Sequence, residues 1–411
     1  IALGFQAFHI AMSFGVGLGA AMGALVGNAL GARNRRQARR TIAQGIVYGV
    51  TAAIVLGLAG LWYGPLIIRL VSEPGAYQDA GIRYFQILTL ALPGFLVAFG
   101  CNGVLQAHGD GRSMQRALMV AFVANIGLNP LFIYGIPGLW SGIGFDGLAA
   151  STVVSQTGVM LYMARQVFRL RTMARLRARN FRPRADRFRE ISLQTLPTAT
   201  SMLVMFLSGF VVQYALKGFG EHAVAGFGLG IRLEQILLLP VFGVTGALLP
   251  IASQNFGAGD YDRVREALRY CWKVGFVMTA TAAPILWIFG GTILSFFTDD
   301  PEVIRVGTIY LRIDGVILPV YMMLFSINGL LQALKRPMAT VWISLYRQGF
   351  GIAFFIWLFV GIWGFDEHGV WFGVACAVIS GLGLSLWIAT RVAAQEMGGL
   401  WRGPAKREPV T

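Results

Sequence analysis

Residues 93–107 read PGFLVAFGCNGVLQA, and residues 319–333 read PVYMMLFSINGLLQA. The two stretches lie 226 positions apart, and both begin with proline and end in Asn-Gly-x-Leu-Gln-Ala. The same offset, without gaps, pairs further residues: Tyr84 with Tyr310, Gly17 with Gly243, Arg39 with Arg265 and Gly49 with Gly275. An ungapped match that includes so many Gly, Pro, Asn and Gln positions predicts an internal duplication. Membrane transporters are commonly built from two such halves.

The composition places both halves in a membrane. Hydrophobic residues make up 56% of the 411 residues and charged residues only 13%, and the mean hydropathy is +0.63. Eleven long apolar segments each exceed the ~20 residues that a helix needs to cross a bilayer. They are Ile1–Leu30, Thr41–Ile68, Ala80–Ala107, Met114–Ile136, Gly147–Phe168, Ile191–Leu216, Ala223–Phe256, Val264–Phe297, Val303–Leu334, Ala339–Trp363 and Val370–Thr390.

These segments predict an all-α membrane protein with two six-helix bundles related by a parallel internal repeat. The segment Ile191–Leu216 opens the second half, and its partner falls before residue 1. We therefore expect eleven of twelve helices, with the opening helix of the first half missing. The predicted organisation is an N-terminal bundle over 1–169, a basic cytoplasmic linker over 170–190, a C-terminal bundle over 191–395 and a cytoplasmic tail over 396–411.

The charged loops predict the orientation. Basic loops alternate with acidic ones, and Lys and Arg accumulate on the cytoplasmic side of short loops. The loop from Arg33 to Arg40 and the linker Arg165–Arg189 should therefore be cytoplasmic, and Asp299–Glu302 should face outside. The Lys and Arg of the cytoplasmic loops account for the net charge of +15. No nucleic-acid partner is therefore expected. The linker is interpreted as a basic segment lying on anionic lipid; a regulatory or lipid-binding arm is the alternative.

The repeated motifs resemble those of the multidrug and toxic compound extrusion (MATE) family. They are Gly31-Ala32 with its twin Gly257-Ala258, the paired Pro…Asn-x-x-Leu-Gln-Ala stretches, and Asn125-Ile-Gly-Leu-Asn129-Pro130, which is similar to a family Asn-x-x-x-Asp-Pro pattern. The resemblance implies an antiporter in a bacterial inner membrane that exports drugs or organic cations in exchange for Na⁺ or H⁺. The alternative is a flippase for a lipid-linked sugar precursor. The family aspartate is Asn129 here, so that cation site does not carry over intact.

Two acids inside the apolar segments are the first candidates for ion coupling. Glu234 and Asp314 each lie about ten residues into a span from the outside, or ~15 Å deep. Intramembrane acids are costly and commonly functional. Their repeat partners are Phe8 and Leu88, so the scaffold is duplicated but the charge is not. We expect Glu234 and Asp314 to form the site, with Arg232 modulating their protonation. The alternative is structural ion pairing with Arg232 and Arg312.

Other polar and aromatic residues give further candidates. Asn125 and Asn129 lie one helical turn apart, and with Thr152 they offer oxygen ligands that suit a hard cation; simple interhelical hydrogen bonding is equally expected. A substrate cavity is predicted along Met205, Gln213, Tyr321 and Phe325, against ordinary helix packing as the alternative.

Enzymatic function is not expected. The sequence offers no nucleophile–base constellation, and its three cysteines have no metal-binding spacing. We expect no cofactor beyond H⁺ or Na⁺ as the coupling ion. The expected partners are a small amphiphilic or cationic substrate and membrane lipid, and the protein is expected to be a monomer.

Overall fold

The computed structural model describes residues 2–71, 74–136, 138 and 140–401, which are almost entirely helical. The α-helices are α1 (Ala2–Gly31), α2 (Arg35–Val71), α3 (Ala76–Thr89), α4 (Leu92–Ala107), α5 (Ser113–Tyr134), α6 (Asp146–Phe168), α7 (Ala185–Lys217), α8 (Glu221–Gly257), α9 (Tyr261–Ser295), α10 (Pro301–Ala333), α11 (Met338–Ser344), α12 (Ile352–Ile356) and α13 (Glu367–Met397).

Shorter elements join or interrupt these helices. Two 3₁₀ turns lie in the linker between α6 and α7, at Arg171–Met173 and Ala178–Phe181. Two π-helical segments, Leu345–Gly351 and Trp357–Ile362, continue α11 and α12. Together these four elements form one continuous span, Met338–Ile362. Strands β1 (Gly135–Ile136) and β2 (Trp140–Ser141) form a small antiparallel hairpin after α5.

The eleven predicted segments are confirmed as helices within the described residues. Nine are long and apolar enough to cross a membrane, and α3 with α4 forms a tenth, bent by 43°. The eleventh, α6, has 23 residues, which gives ~34 Å of helix. It does not reach the same apolarity because it carries the polar run Ser151, Thr152, Ser155, Gln156 and Thr157.

The chain divides into two compact units, residues 1–200 and 201–411. In the first, α4 packs against α1, α2 and α6, and α5 packs against α6. In the second, α10 packs against α8, α9 and α13. Helix α7 begins in the first unit, and the 3₁₀ turns of the linker pack against α2. The linker is therefore folded onto the first unit.

The internal duplication is visible as a repeated helix contact. In the first unit, a Cβ added to Gly103 on α4 would lie 1.9 Å from the carbonyl oxygen of Gly19 on α1. In the second, a Cβ added to Gly329 on α10 would lie 3.7 Å from the carbonyl oxygen of Thr245 on α8. Gly103 and Gly329 lie 226 positions apart in the sequence, and so do Gly19 and Thr245. The two units therefore join equivalent helices at equivalent positions, and the first does so with much closer backbones.

Candidate functional site

Glu234 and Asp314 lie at the same level of neighbouring helices in the second unit. Each is thirteen residues beyond the first residue of its helix, Glu221 in α8 and Pro301 in α10, which is ~20 Å along the axis. Both side chains are buried, with 8% of Glu234 and 2% of Asp314 exposed. The two acids therefore share one level of the bundle, and their depth in a membrane stays a prediction.

Small residues bring the two helices together around the acids. A Cβ on Gly226 would lie 3.0 Å from the backbone nitrogen of Gly307, so α8 and α10 approach closely there. One turn further on, a Cβ on Gly230 would lie 2.5 Å from the ring of Tyr310. The absence of a side chain at Gly230 lets the tyrosine ring lie against α8. From that position the Tyr310 hydroxyl donates a hydrogen bond to Oε2 of Glu234.

A buried arginine completes the charged cluster. Arg347 lies in the π-helical segment Leu345–Gly351 with only 6% of its surface exposed. A Cβ on Gly381 of α13 would lie 2.8 Å from the Arg347 side chain, so this glycine makes room for it. The guanidinium interacts electrostatically with Glu234 and Tyr321. Such π-helical insertions frequently occur at functional sites because they redirect side chains.

The structure does not assign Arg232 the predicted role beside the acids. Arg232 is exposed, because residues two apart on a helix point to different sides. Arg312 is also turned away: its Nε donates to the Trp287 carbonyl oxygen at 3.3 Å, and its guanidinium lies 5.7 Å from the Trp287 ring centre. Neither arginine forms an ion pair with Glu234 or Asp314 in the described part of the chain. Arg347 is the cation that interacts with Glu234.

Two carboxyl groups and one guanidinium give the cluster a formal charge of −1 when both acids are ionised. Asp314 Oδ2 is buried and has no hydrogen-bond partner among the described residues. An uncompensated buried charge is expensive. One monovalent cation, either a proton on a carboxyl group or Na⁺ among the oxygens of Glu234, Asp314 and Tyr310, would neutralise the cluster. Hard oxygen donors of this type suit Na⁺.

Aromatic rings pack beside the cluster. Phe227, Tyr310 and Trp371 pack mutually with ring centres 5.1–5.7 Å apart, and Trp371 is 1% exposed. Because Tyr310 also bonds Glu234, this packing keeps water from one side of that acid, which strengthens its electrostatic interactions.

Two of the predicted substrate residues continue the same face of α10. Tyr321 and Phe325 follow Tyr310 and Asp314 at helical spacing. Their rings stack at 6.3 Å, and Phe242 of α8 lies 4.9 Å from Phe325. The other two lie on α7, where Met205 is half-buried and Gln213 is exposed. The structure therefore links the aromatic pair to the acid cluster directly.

The predicted polar patch of the first unit forms hydrogen bonds between helices. Asn125 Nδ2 donates to Ser155 Oγ at 3.2 Å, and Asn129 Oδ1 accepts from Ser151 Oγ at 2.5 Å. Thr152 instead donates to the Leu148 carbonyl of its own helix. The two asparagines thus join α5 to α6 through serines that the sequence analysis did not single out.

Sequence reasoning also missed Tyr310, Trp371 and Arg347. Tyr310 matches Tyr84 across the repeat, and the sequence gives no sign that it contacts an acid. Arg347 had a usable signal, because it is the sole charged residue between Met338 and Ile362. An isolated ionisable residue in an apolar span is a functional candidate by default.

Comparison with known proteins identifies related chains. A model of the MatE family matches residues 1–131 and 197–357. A probable multidrug resistance protein, YpnP of Bacillus subtilis, is 28% identical over 320 residues, which are 74% of this chain and 68% of that protein. Another, NorM of Thermotoga maritima, is 24% identical over 74% of this chain and 65% of its own length. An FAD transporter of Shewanella oneidensis is 29% identical over 60% of this chain and 54% of its own length.

Solved structures share the fold. A crystal structure of a MATE protein in complex with MaL6 has a TM-score of 0.88 at 21% identity, covering 96% of this chain and 88% of that one. A MOP superfamily transporter from Pyrococcus furiosus also has a TM-score of 0.88 at 20% identity, covering 98% and 88%. These likenesses confirm the all-α, two-bundle membrane fold. With the family model matching most of its length, the chain belongs to the MatE family, whose members are membrane transporters and not enzymes.

Proposed function

We propose that this protein is a secondary active antiporter that exports drugs or organic cations in exchange for H⁺ or Na⁺ by alternating access. The observation that carries the proposal is the buried cluster of Glu234, Asp314, Tyr310 and Arg347, with its formal charge of −1. Two relatives named as multidrug resistance proteins support the substrate class. They favour drug export over the alternative of a lipid-linked sugar flippase.

The cluster provides a way to couple ion and substrate movement. When one cation is bound, the cluster is neutral, and when it is released, one negative charge remains in a low-dielectric environment. That charge attracts a cationic substrate. The coupling ion and the substrate can therefore replace each other at the cluster, since each neutralises it. Exchange of one monovalent cation for a monovalent cationic substrate moves no net charge, so the concentration gradient of H⁺ or Na⁺ drives it, and each tenfold of that gradient supplies about 1.4 kcal/mol.

The aromatic residues suit the proposed substrates. Tyr321, Phe325 and Phe242 present ring faces in the same unit as the acid cluster. Aromatic faces attract organic cations and tolerate variation in their shape. Met205 and Gln213 on α7 are proposed as further contacts. The thioether of Met205 adapts to irregular apolar ligands.

Efflux from vesicles with imposed gradients tests this function. We expect a cationic dye such as ethidium to be transported when a pH or Na⁺ gradient is applied, and the transport to stop when the gradient is collapsed. Applying each gradient separately identifies the coupling ion. Dye movement that is unchanged without either gradient, or that requires ATP, would contradict the proposal.

A second candidate substrate is FAD. The relative from Shewanella oneidensis is named an FAD transporter. The same vesicles distinguish the two substrates: gradient-driven movement of FAD without movement of ethidium would favour this candidate.

We also propose that the protein lies as a monomer in the bacterial inner membrane, with the linker and the C-terminal tail in the cytoplasm. Single-cysteine labelling from outside should then modify Asp300→Cys and spare Arg177→Cys. Both positions are accessible to water, whereas Cys101 and Cys271 are buried; the half-buried Cys376 is replaced by serine in both variants. Labelling of Arg177→Cys alone would reverse the orientation.

A further inference from the structure

A cavity lined by arginines lies where the linker meets the start of α2 in the first unit. Its volume is about 270 Å³. An adjoining cavity of about 200 Å³ shares Arg36, Arg40, Arg179 and Asn180 with it. We call the two together the arginine pocket. The residues that line the first cavity are Arg36, Arg40, Gln44, Arg179, Asn180, Arg184 and Arg187.

The pocket is built by a buried glutamine. Gln44, which is 1% exposed, donates from Nε2 to the carbonyl oxygens of Asn180 at 2.6 Å and Arg182 at 2.8 Å. Its Oε1 accepts from the backbone nitrogen of Arg184 at 3.1 Å. These three bonds fasten the linker to α2 and so hold linker arginines beside Arg36 and Arg40 of α2. The arrangement is therefore organised by the protein and does not arise from free surface side chains.

Part of the positive charge in the pocket is uncompensated. Asp186 lies 3.4 Å from Arg184 and 3.7 Å from Arg187, and Glu190 lies 2.7 Å from Arg187. By contrast, Arg36, Arg40 and Arg179 form no ion pair in the part of the chain that the structure describes. Their guanidinium groups repel one another, so an anion that binds between them would remove an unfavourable interaction.

The repeat shows that the scaffold does not require these arginines. At the positions equivalent to Arg36 and Arg40, the second half has Asp262 and Glu266. There, the arginine equivalent to Arg39 is Arg265, which pairs with Asp262 at 2.6 Å and donates to the Gly399 carbonyl oxygen at 2.8 Å. The second unit thus satisfies its basic residue internally, whereas the first concentrates positive charge at the same place.

The helix ends add to the positive potential. Helix α2 begins at Arg35 and α7 at Ala185, and residues of both first turns line the pocket. The N-terminus of a helix carries a partial positive charge and unpaired N–H groups, which favour phosphate. Because the membrane-length stretch of α2 starts at Arg35, the pocket lies at the end of a span, where lipid headgroups are found.

We propose that the arginine pocket binds a phosphate-bearing polyanion through Arg36, Arg40 and Arg179. Arginine forms paired hydrogen bonds with phosphate oxygens, and the two adjoining cavities provide room for two phosphate groups. The ligand is either the headgroup of an acidic phospholipid or a soluble diphosphate. Binding would tie the linker to α2, and it is independent of the ion cluster in the second unit.

Calorimetric titration of the purified protein with inorganic pyrophosphate tests the soluble source. The pocket variant carries Arg36→Gln, Arg40→Gln and Arg179→Gln. Its matched control carries Arg169→Gln, Arg171→Gln and Arg189→Gln, which remove the same charge from exposed arginines nearby. We expect the affinity to fall about tenfold for each pocket arginine removed, since one charge-assisted hydrogen bond contributes roughly a factor of ten to the affinity. The control should stay within about threefold of the wild type.

Vesicles test the lipid source. The protein is reconstituted in phosphatidylcholine with or without phosphatidic acid, and thermal unfolding is measured. Stabilisation by phosphatidic acid that the pocket variant loses and the control keeps would assign the site to a lipid headgroup. Pyrophosphate binding that phosphatidic acid does not displace would assign it to a soluble ligand.

Two outcomes would overturn the proposal. One is that neither ligand binds the wild type. The other is that both triple variants lose binding equally, which would show diffuse surface electrostatics. If the pocket variant does not fold, Arg40→Lys replaces it: the charge is kept and the paired hydrogen bonds are lost, so binding should still weaken about tenfold.

Discussion

Replacing Glu234 with glutamine is expected to abolish gradient-driven efflux and to leave the protein folded in the membrane. Glutamine keeps the shape of the side chain and a carbonyl oxygen that can accept the Tyr310 hydrogen bond. It removes the charge that makes the cluster take up a cation. Dye efflux from vesicles under a pH or Na⁺ gradient measures the loss. Asp314→Asn should likewise weaken coupling, because Asp314 is the second buried acid.

The matched control is Glu221→Gln, an identical chemical change on the same helix. Glu221 lies exposed in the first turn of α8, so its substitution should leave efflux close to that of the wild type. Equal losses in both variants would show that negative charge on α8 matters generally. Full efflux by Glu234→Gln would remove Glu234 from the coupling site.

Stability distinguishes coupling from a purely structural role. If Glu234 served only to neutralise Arg347, then Glu234→Gln would leave a buried guanidinium uncompensated and lower stability by about 3–5 kcal/mol. Adding Arg347→Gln would then restore it. We expect instead that Glu234→Gln unfolds near the wild-type temperature, because the glutamine still accepts the Tyr310 hydrogen bond and Asp314 remains as a second buried acid in the same unit. Loss of transport in a stably folded variant supports coupling.

The second large effect is expected at the helix crossing of the first unit. Gly103→Ala places a methyl group 1.9 Å from the Gly19 carbonyl oxygen. Both groups belong to helix backbones, so α1 and α4 must move apart, at a cost of about 1–3 kcal/mol. Thermal unfolding in detergent should show a clear decrease in the unfolding temperature.

The internal repeat supplies the control for this prediction. Gly329→Ala is the same change at the equivalent position of the second unit. There, the new methyl group would lie 3.7 Å from the Thr245 carbonyl oxygen, at ordinary contact distance. We expect little change in its unfolding temperature. A similar decrease in unfolding temperature for both variants would contradict the difference in closeness between the two helix crossings.

Much of the fold could be predicted from the sequence because membranes impose simple rules. Helix length, apolar composition and the ungapped offset indicate the helical segments and their duplication from the sequence alone. The acids Glu234 and Asp314 were identifiable for the same reason, since charge inside an apolar span is conspicuous. Their common level in the bundle followed from counting residues along regular helices.

The partners of those acids could not be predicted in the same way. Arg232 is close in sequence to Glu234 but lies on an exposed face, whereas Arg347 is distant in sequence and reaches the cluster from a π-helical segment. Contacts between helices depend on rotation about each helix axis, which a π-helical turn changes locally. Similarly, the sequence indicated Asn129 but not Ser151, its hydrogen-bond donor on the neighbouring helix.

The most direct test of the coupling site is the number of cations taken up for each dye molecule exported by proteoliposomes. Proton or Na⁺ uptake and dye movement are recorded together, for the wild type and for Glu234→Gln. Because the ionised cluster carries a formal charge of −1, we predict one monovalent cation per transport cycle in the wild type and none in the variant. Dye export without cation uptake by the wild type, or unchanged cation uptake by Glu234→Gln, would contradict the account.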